Sequence, residues 1–152
     1  MSGLAPRAIA SFRGQYAFLS NFSSSPITGG PYGLTYPTVE HWFQAHKTLG
    51  EGDHHWVVEA HDPSQAKYRG KCVRLRSDWE DVKLDIMQDG LWLKFTPDSE
   101  LAYRLLETEP ADLIEGNTWG DRYWGAVLVG DEWVGQNWLG KLLERTRAEL
   151  GA

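Results

Sequence analysis

The chain of 152 residues has a single cysteine, Cys72, so it forms no intramolecular disulfide and offers no thiolate cluster for zinc. It has no His-x-x-x-His pair either. The nearest grouping, His54, His55 and His61, is expected on a surface connection, where it makes a weak ligand set, and no metal is expected. No apolar run approaches the ~18 residues of a membrane span, and Met1 to Pro6 carries no apolar signal region, so the chain reads as cytoplasmic with no membrane partner. Positive charge is scarce: 15 Lys and Arg stand against 21 Asp and Glu, for a formal charge of -6. That balance argues against a long nucleic-acid duplex as an obvious partner, while leaving room for a small anion in a local basic pocket. The loop Gly120-Asp121-Arg122-Tyr123-Trp124-Gly125 lacks the lysine and spacing of a phosphate-binding loop.

What is abundant is tryptophan, with eight in a chain of this length. Some of these rings are expected to line a pocket and most to fill the core. The length suits one domain with a real core, here taken as residues 8–152 after a flexible tail over residues 1–7. Ile9 to Leu19 suggests one or two short strands broken at Gly14, residues 23–33 a loop, and Leu34 to Tyr36 a short strand. Helices are expected from Val39 to near Gly50, from a cap at Asp53 through Val58, and from Asp62-Pro63 to Gly70. Ser77 and Glu80 form a capping box for a longer helix through about Phe95. Thr96-Pro97 opens another, which ends before Pro110. Leu113 to Glu115 is extended, Ala126–Val129 and Trp133-Val134 pair through a turn at Gly130-Asp131, and Asn137 caps a last helix ending at Gly151. The fold class is therefore mainly α, a compact single domain with a minor β-hairpin or small sheet.

The stretch from Tyr36 to Lys47 carries the most chemistry. Pro37 disfavours helix at Tyr36, Thr38 is a good N-cap, and Glu40 falls in the first turn, where the helix dipole favours its ionised form. At 3.6 residues per turn Val39, Trp42, Phe43, His46 and Leu49 share an apolar stripe, while Glu40, Gln44 and Lys47 share another face. On this helix alone, a solvated polar face opposite a core face carries more weight than a site. A surface-facing Glu40 would contribute at most ~1 kcal/mol through the dipole, so Glu40→Ala should leave the fold intact.

Two other polar clusters interrupt the framework: Ser20-Asn21-Phe22, and the loop from Glu115 to Gly125 with its carboxylates Glu115 and Asp121 beside Trp119 and Trp124. Paired carboxylates serve glycosyl hydrolysis, because its transition state carries oxocarbenium charge and its leaving group needs a proton. Glu40, held ionised, suits the stabilising or water-activating role. The other route is a desolvated lysine whose free amine attacks the sugar C1 and forms a Schiff base. Lys47 shares a helical face with Glu40, and Lys83 shares one with Trp79; for either, a solvated lysine is the plainer reading.

Taken in order, Ser20-Asn21-Phe22, Thr38-x-Glu40-His41-x-Phe43-Gln44-Ala45-x-Lys47, Ala66-Lys67-x-x-Gly70, Asp78-Trp79-Glu80-x-x-Lys83, Lys94-Phe95, Trp124-Gly125 and Gly135-x-Asn137-x-Leu139-Gly140 resemble the NADAR family, the YbiA-like proteins. Each motif is weak, but the resemblance runs from Phe12 to Leu150. It implies a mostly helical fold and cleavage of N-glycosides without metal or organic cofactor. It also implies two substrate groups: ribosylaminopyrimidine phosphate intermediates of riboflavin biosynthesis, and ADP-ribose attached to guanine in nucleosides or DNA. By this likeness Glu40, Trp79, Asp121 and a lysine, Lys47 before Lys83, would be catalytic. Asn21, Phe22, Gln44, Lys83, Trp124 and Gly125 would contact the ligand, and Arg69 would meet phosphate. The approach to Trp124-Gly125, Asn117-Thr118-Trp119-Gly120-Asp121-Arg122-Tyr123, departs from the Glu/Asp-Asn-Asp type of many relatives, which leaves the loop acid open between Asp121 and Glu115. A different class of reading is a non-catalytic ADP-ribose or NAD-binding module. No oligomeric state is implied.

Overall fold

The computed structural model describes residues 6–152. The tail expected over residues 1–7 lies outside the described residues except for Pro6 and Arg7, both exposed. The architecture is mainly α with small sheets, as expected. Among the described residues no helix is long and apolar enough to cross a membrane. The chain gathers into two compact units, one formed by Asn21–Lys94 and the other by the residues up to Ser20 with Phe95–Ala152.

The first of these units is built around the short helix α1, Val39–Ala45, against which α2 (Glu51–Val58), α3 (Pro63–Cys72) and α4 (Trp79–Lys94) pack. Thr38 is extended and its hydroxyl accepts from the His41 amide at 3.1 Å, so the helix begins where the sequence places it. It ends at Ala45, short of the expected Gly50, because the chain turns at His46 and pairs Thr48 with Leu75 in an isolated bridge. Leu49, expected on the apolar stripe, is therefore exposed. Before α1, β2 (Ile27–Gly29) and β3 (Leu34–Tyr36) form an antiparallel hairpin with Ile27 opposite Tyr36. β2 lies in a stretch expected to be loop.

α2 starts at Glu51 after Gly50, and Asp53 sits inside its first turn instead of capping it. α3 follows the expectation: the Asp62 carboxylate accepts from the Gln65 amide at 2.8 Å and Pro63 occupies the first turn, although the helix runs on to Cys72. At α4 the first carbonyl acceptor is Asp78, which takes the amides of Asp81 and Val82, so the cap falls one residue after Ser77. Trp42 anchors α1 to α4 by donating its indole N–H to the Ile86 carbonyl at 2.9 Å.

The second unit holds α5 (Glu100–Leu106) and α6 (Trp138–Leu150), packed together, with Leu105, Leu139 and Leu143 in its core. Residues Gly14–Leu19 form a 3-10 helix, not a strand, and bury Phe18 and Leu19. β1 (Ala8–Ile9) runs parallel to β4 (Asp112–Leu113). β5 (Gly116–Asn117), β6 (Ala126–Val129) and β7 (Glu132–Val134) form a three-stranded sheet that contains the expected hairpin. α5 does not start at Thr96-Pro97: Asp98 takes a φ of 65° and breaks the helical path, and the Ser99 hydroxyl then caps by accepting from Ala102. Asn137 precedes α6 as expected, but its side chain does not cap it. It accepts from the Glu115 amide and donates to the Leu113 carbonyl, both at 2.9 Å, which ties the start of α6 to the strand region.

Candidate functional site

The polar face of α1 is not solvated. All seven residues of the helix are buried, and Glu40 is only 8% exposed. This corrects both the expectation of a solvated face and that of a surface-facing Glu40. The cause is α3, which crosses the face at Gly70. A Cβ added there would stand 1.9 Å from Gln44 Oε1 and 2.8 Å from its Cδ, so only glycine lets the two helices approach with Gln44 between them. Gln44 Nε2 donates to Glu40 Oε2 at 2.6 Å, a bond to a carboxylate inside the unit. Gln44 Oε1 is buried with no hydrogen-bond partner among the described residues.

One turn on, Lys47 is half-buried, with its Nζ 5.6 Å from the centre of the Phe43 ring and 5.9 Å from that of Trp79. The two rings are themselves 5.0 Å apart. Burial pushes the Lys47 amine below the ordinary lysine pKa; the Glu40 charge opposes that shift, and Lys67, Lys71 and Lys83 add to it. A carboxylate, an amide and an amine inclined to lose its proton therefore share one face, with Trp79 as a buried aromatic wall beside them. Such a set can stabilise cationic charge at a sugar C1 and can supply a nitrogen nucleophile.

Asn21 belongs to the same assembly. Its carbonyl accepts the Glu40 amide at 3.1 Å, its side-chain amide donates to Met87 Sδ at 3.3 Å, and its Oδ1 is buried without a partner among the described residues. Phe22 beside it is 42% exposed. Lys83 donates to Glu80 Oε1 at 2.6 Å, so its amine is held in an ion pair on α4. Arg69 turns toward α2: its guanidinium stacks 4.8 Å over the Trp56 ring and Nη1 donates to the Trp56 carbonyl.

Lys94, in the Lys94-Phe95 motif, has surroundings that its sequence neighbours do not announce. It is buried, donates to Ser23 Oγ at 2.9 Å, and desolvation pulls its pKa down to about 7. The only local hint is its place at the end of the apolar run Leu91-Trp92-Leu93, which does not by itself separate burial from exposure. His54, expected on a surface connection, is buried on α2 with its Nε2 2.6 Å from Tyr36 Oη. Among the described residues no group of three His, Cys, Asp or Glu is placed to hold a metal.

The remaining expected residues lie in the other unit. Asp121 Oδ1 accepts from the amides of Tyr123 and Trp124, both at 3.0 Å, and the Asp121 backbone is bonded through both its N–H and C=O to the Asn117 side chain. One oxygen of the carboxylate thus shapes the loop. The Trp124 ring meets Tyr123 edge-on at 5.0 Å. Gly125 packs so closely on Glu115 that a Cβ would lie 2.1 Å from the Glu115 carbonyl oxygen.

With this geometry in hand, comparison with known proteins gives a consistent result. A family model described as the NADAR domain matches residues 11–151. The N-glycosidase YbiA of Escherichia coli is 39% identical over 137 residues, covering 89% of this chain and 82% of that protein. The NMR structure of that Escherichia coli protein superposes with a TM-score of 0.80 at 36% identity, over 99% of this chain and 89% of the other. The chloroplastic riboflavin biosynthesis protein PYRR of Zea mays is 34% identical over an alignment of 151 positions, gaps included, that covers 89% of this chain but 23% of that longer protein.

Proposed function

This chain belongs to the NADAR family and is a hydrolase of N-glycosyl bonds, and we propose that it cleaves the bond between ribose C1 and a base nitrogen in a substrate with phosphate beyond the sugar. Two substrates fit that description: an ADP-ribosylated guanine, and a ribosylaminopyrimidine phosphate. The observation that carries the reading is the buried pairing of Glu40 with Gln44 on the face that also presents the Lys47 amine beside Trp79. The positive surroundings from Lys67, Lys71 and Lys83 support a phosphorylated ligand in a chain that is acidic overall.

In the proposed reaction the Lys47 lone pair attacks C1. The C1–N bond breaks with its electron pair going to the base nitrogen, which takes up the proton that the Lys47 nitrogen releases once it is bonded to C1. Glu40 stabilises the positive charge that builds at C1 while the bond lengthens. The sugar-lysine adduct opens to an imine, water adds at C1, and the amine departs, restoring Lys47 and leaving a hydroxyl on C1. Trp79 keeps the amine out of bulk water and gives the sugar or base a flat apolar wall. No step needs a metal.

The test is mass spectrometry of the products after incubation with ADP-ribosyl-guanosine and, separately, with the ribosylaminopyrimidine phosphate. Free guanosine with ADP-ribose identifies the first substrate, and ribose 5-phosphate identifies the second. Intact substrate in both reactions, with ADP-ribose still bound in calorimetry, would replace the enzyme by a binding module.

A further inference from the structure

The unit built on α1 has a second feature, a cleft of about 470 Å³ in which none of Glu40, Gln44, Lys47 or Trp79 takes part. Its volume falls in the range of small-molecule sites. Its apolar wall comes from Pro31, Tyr32 and Leu49, and both Tyr32 and Leu49 are exposed. Its polar wall includes His46, Arg76 and Asp78.

The hydrogen bonds of the polar wall decide what it can recognise. Arg76 uses one N–H of each nitrogen: Nε and Nη2 donate to the two oxygens of Asp78 at 2.6 and 3.0 Å, and Nη1 donates to the His46 carbonyl at 3.3 Å. A guanidinium pinned this way has its charge matched and its Nε–Nη2 edge occupied by a carboxylate, which leaves no free edge pair for a bidentate grip on a phosphate from that side. What it still offers is its flat face, which stacks well on aromatic rings. His46 Nδ1 lies 2.6 Å from the Trp42 carbonyl, which can only accept, so Nδ1 carries the proton. In the neutral ring Nε2 is then an acceptor, and it makes no hydrogen bond among the described residues. Burial lowers the His46 pKa and so favours that neutral ring.

We propose that this cleft binds a flat nitrogen heterocycle bearing an N–H donor, the chemistry of a nucleobase, with the ring stacked on the Arg76 guanidinium and the donor meeting His46 Nε2. The cleft shares its scaffold with the site above. Thr48 follows Lys47, Asp78 precedes Trp79, and the Arg76 amide donates to the Lys47 carbonyl at 2.9 Å, so each of the two segments contributes to both places. The ring can come from the substrate itself, an assignment that rests on the proposed function, or from a free nucleoside.

Titration of adenosine into the full chain, by calorimetry and amide chemical shifts, tests the chemistry without relying on catalysis. Saturable binding is expected, with shifts at Tyr32, Leu49 and Ser77, and about tenfold or greater weakening in both Tyr32→Ala and Arg76→Lys, the scale of one base-stacking contact. Arg76→Lys keeps the charge and removes the plane, and inorganic phosphate should not reproduce the shifts. Absence of adenosine binding, binding at the parent's affinity in either variant, or the same shifts with phosphate would overturn the inference. If the chain cleaves its substrate, competitive inhibition by adenosine identifies the substrate's own base as the occupant. A change in kcat at constant KM identifies a separate nucleoside. Failure of the cleavage assay alone would leave the titration result standing.

Discussion

Gly70→Ala is a severe test of how the α1 face is built, because intrinsic propensity and packing pull in opposite directions. In the interior of α3, alanine should stabilise by about 1 kcal/mol over glycine. The new methyl, however, would sit 1.9 Å from Gln44 Oε1, 2.8 Å from Cδ and 3.1 Å from Cβ. The end of a glutamine can swing, but Gln44 is only 4% exposed and its Nε2 is bonded to Glu40. Moving it gives up a hydrogen bond to a charged group, about 1.5–3 kcal/mol, and adds packing strain of about 1–3 kcal/mol. With both costs near the lower end of their ranges, because the end of a glutamine side chain can swing, the net expectation is a loss of about 2 kcal/mol, a drop of roughly 1 M in the urea midpoint at a slope of about 2 kcal/mol/M. Cutting the obstacle back with Gln44→Ala should reverse the sign, so that Gly70→Ala becomes neutral or stabilising in that background. A double-mutant cycle by urea unfolding should then give a coupling of about 2–3 kcal/mol. A Gly70→Ala protein as stable as the parent, or one equally damaged with and without Gln44, would refute this account of the helix contact.

Acid should unfold the chain through its buried histidines. Burial holds the pKa of His54 near 4 and also lowers that of His46, against an unfolded value of 6.5. The unfolded chain binds more protons between those values, so stability present above pH 6.5 is lost as the pH falls toward 4. For His54 alone the loss is roughly 2–3 kcal/mol, and urea midpoints measured from pH 7 to pH 4.5 should fall accordingly and flatten in His54→Gln. At the other unit, Asp121→Ala should cost about 1–2 kcal/mol because the amides of Tyr123 and Trp124 lose their acceptor. Asp121→Asn keeps that acceptor and should unfold within ~0.5 kcal/mol of the parent; equal damage from both variants would show that the charge, not the acceptor, holds the loop.

The helix starts set by Thr38 and Asp62-Pro63 were legible because each is decided by residues adjacent in sequence. The hairpin at Gly130-Asp131 was legible for the same reason. Ser99 replaced Thr96-Pro97 as the start of α5 because Asp98 adopts a left-handed backbone, which no local pattern announced. Asn137 stands where a cap is expected, yet its side chain bonds to residues 113 and 115, more than twenty positions away. The site divides in the same way. Periodicity put Glu40, Gln44 and Lys47 on one face, but whether that face meets water depends on Gly70, which lies on another helix. The burial of His54 and Lys94 is likewise a tertiary fact: a short polar helix and a lysine at the end of an apolar run are equally compatible with exposure. The cleft bounded by Tyr32 and Arg76 draws its walls from four separate segments and left no contiguous trace in the sequence.

The most direct test of the central claim is the rate of C1–N cleavage by Glu40→Gln and Lys47→Met, measured beside their melting temperatures. Both substitutions conserve side-chain volume closely, so both variants should fold, and both should lose at least ~10²-fold in kcat/KM, the scale of removing a group that acts on the reacting atoms. A folded Glu40→Gln or Lys47→Met protein that cleaves at the parent rate would remove the α1 face from the reaction.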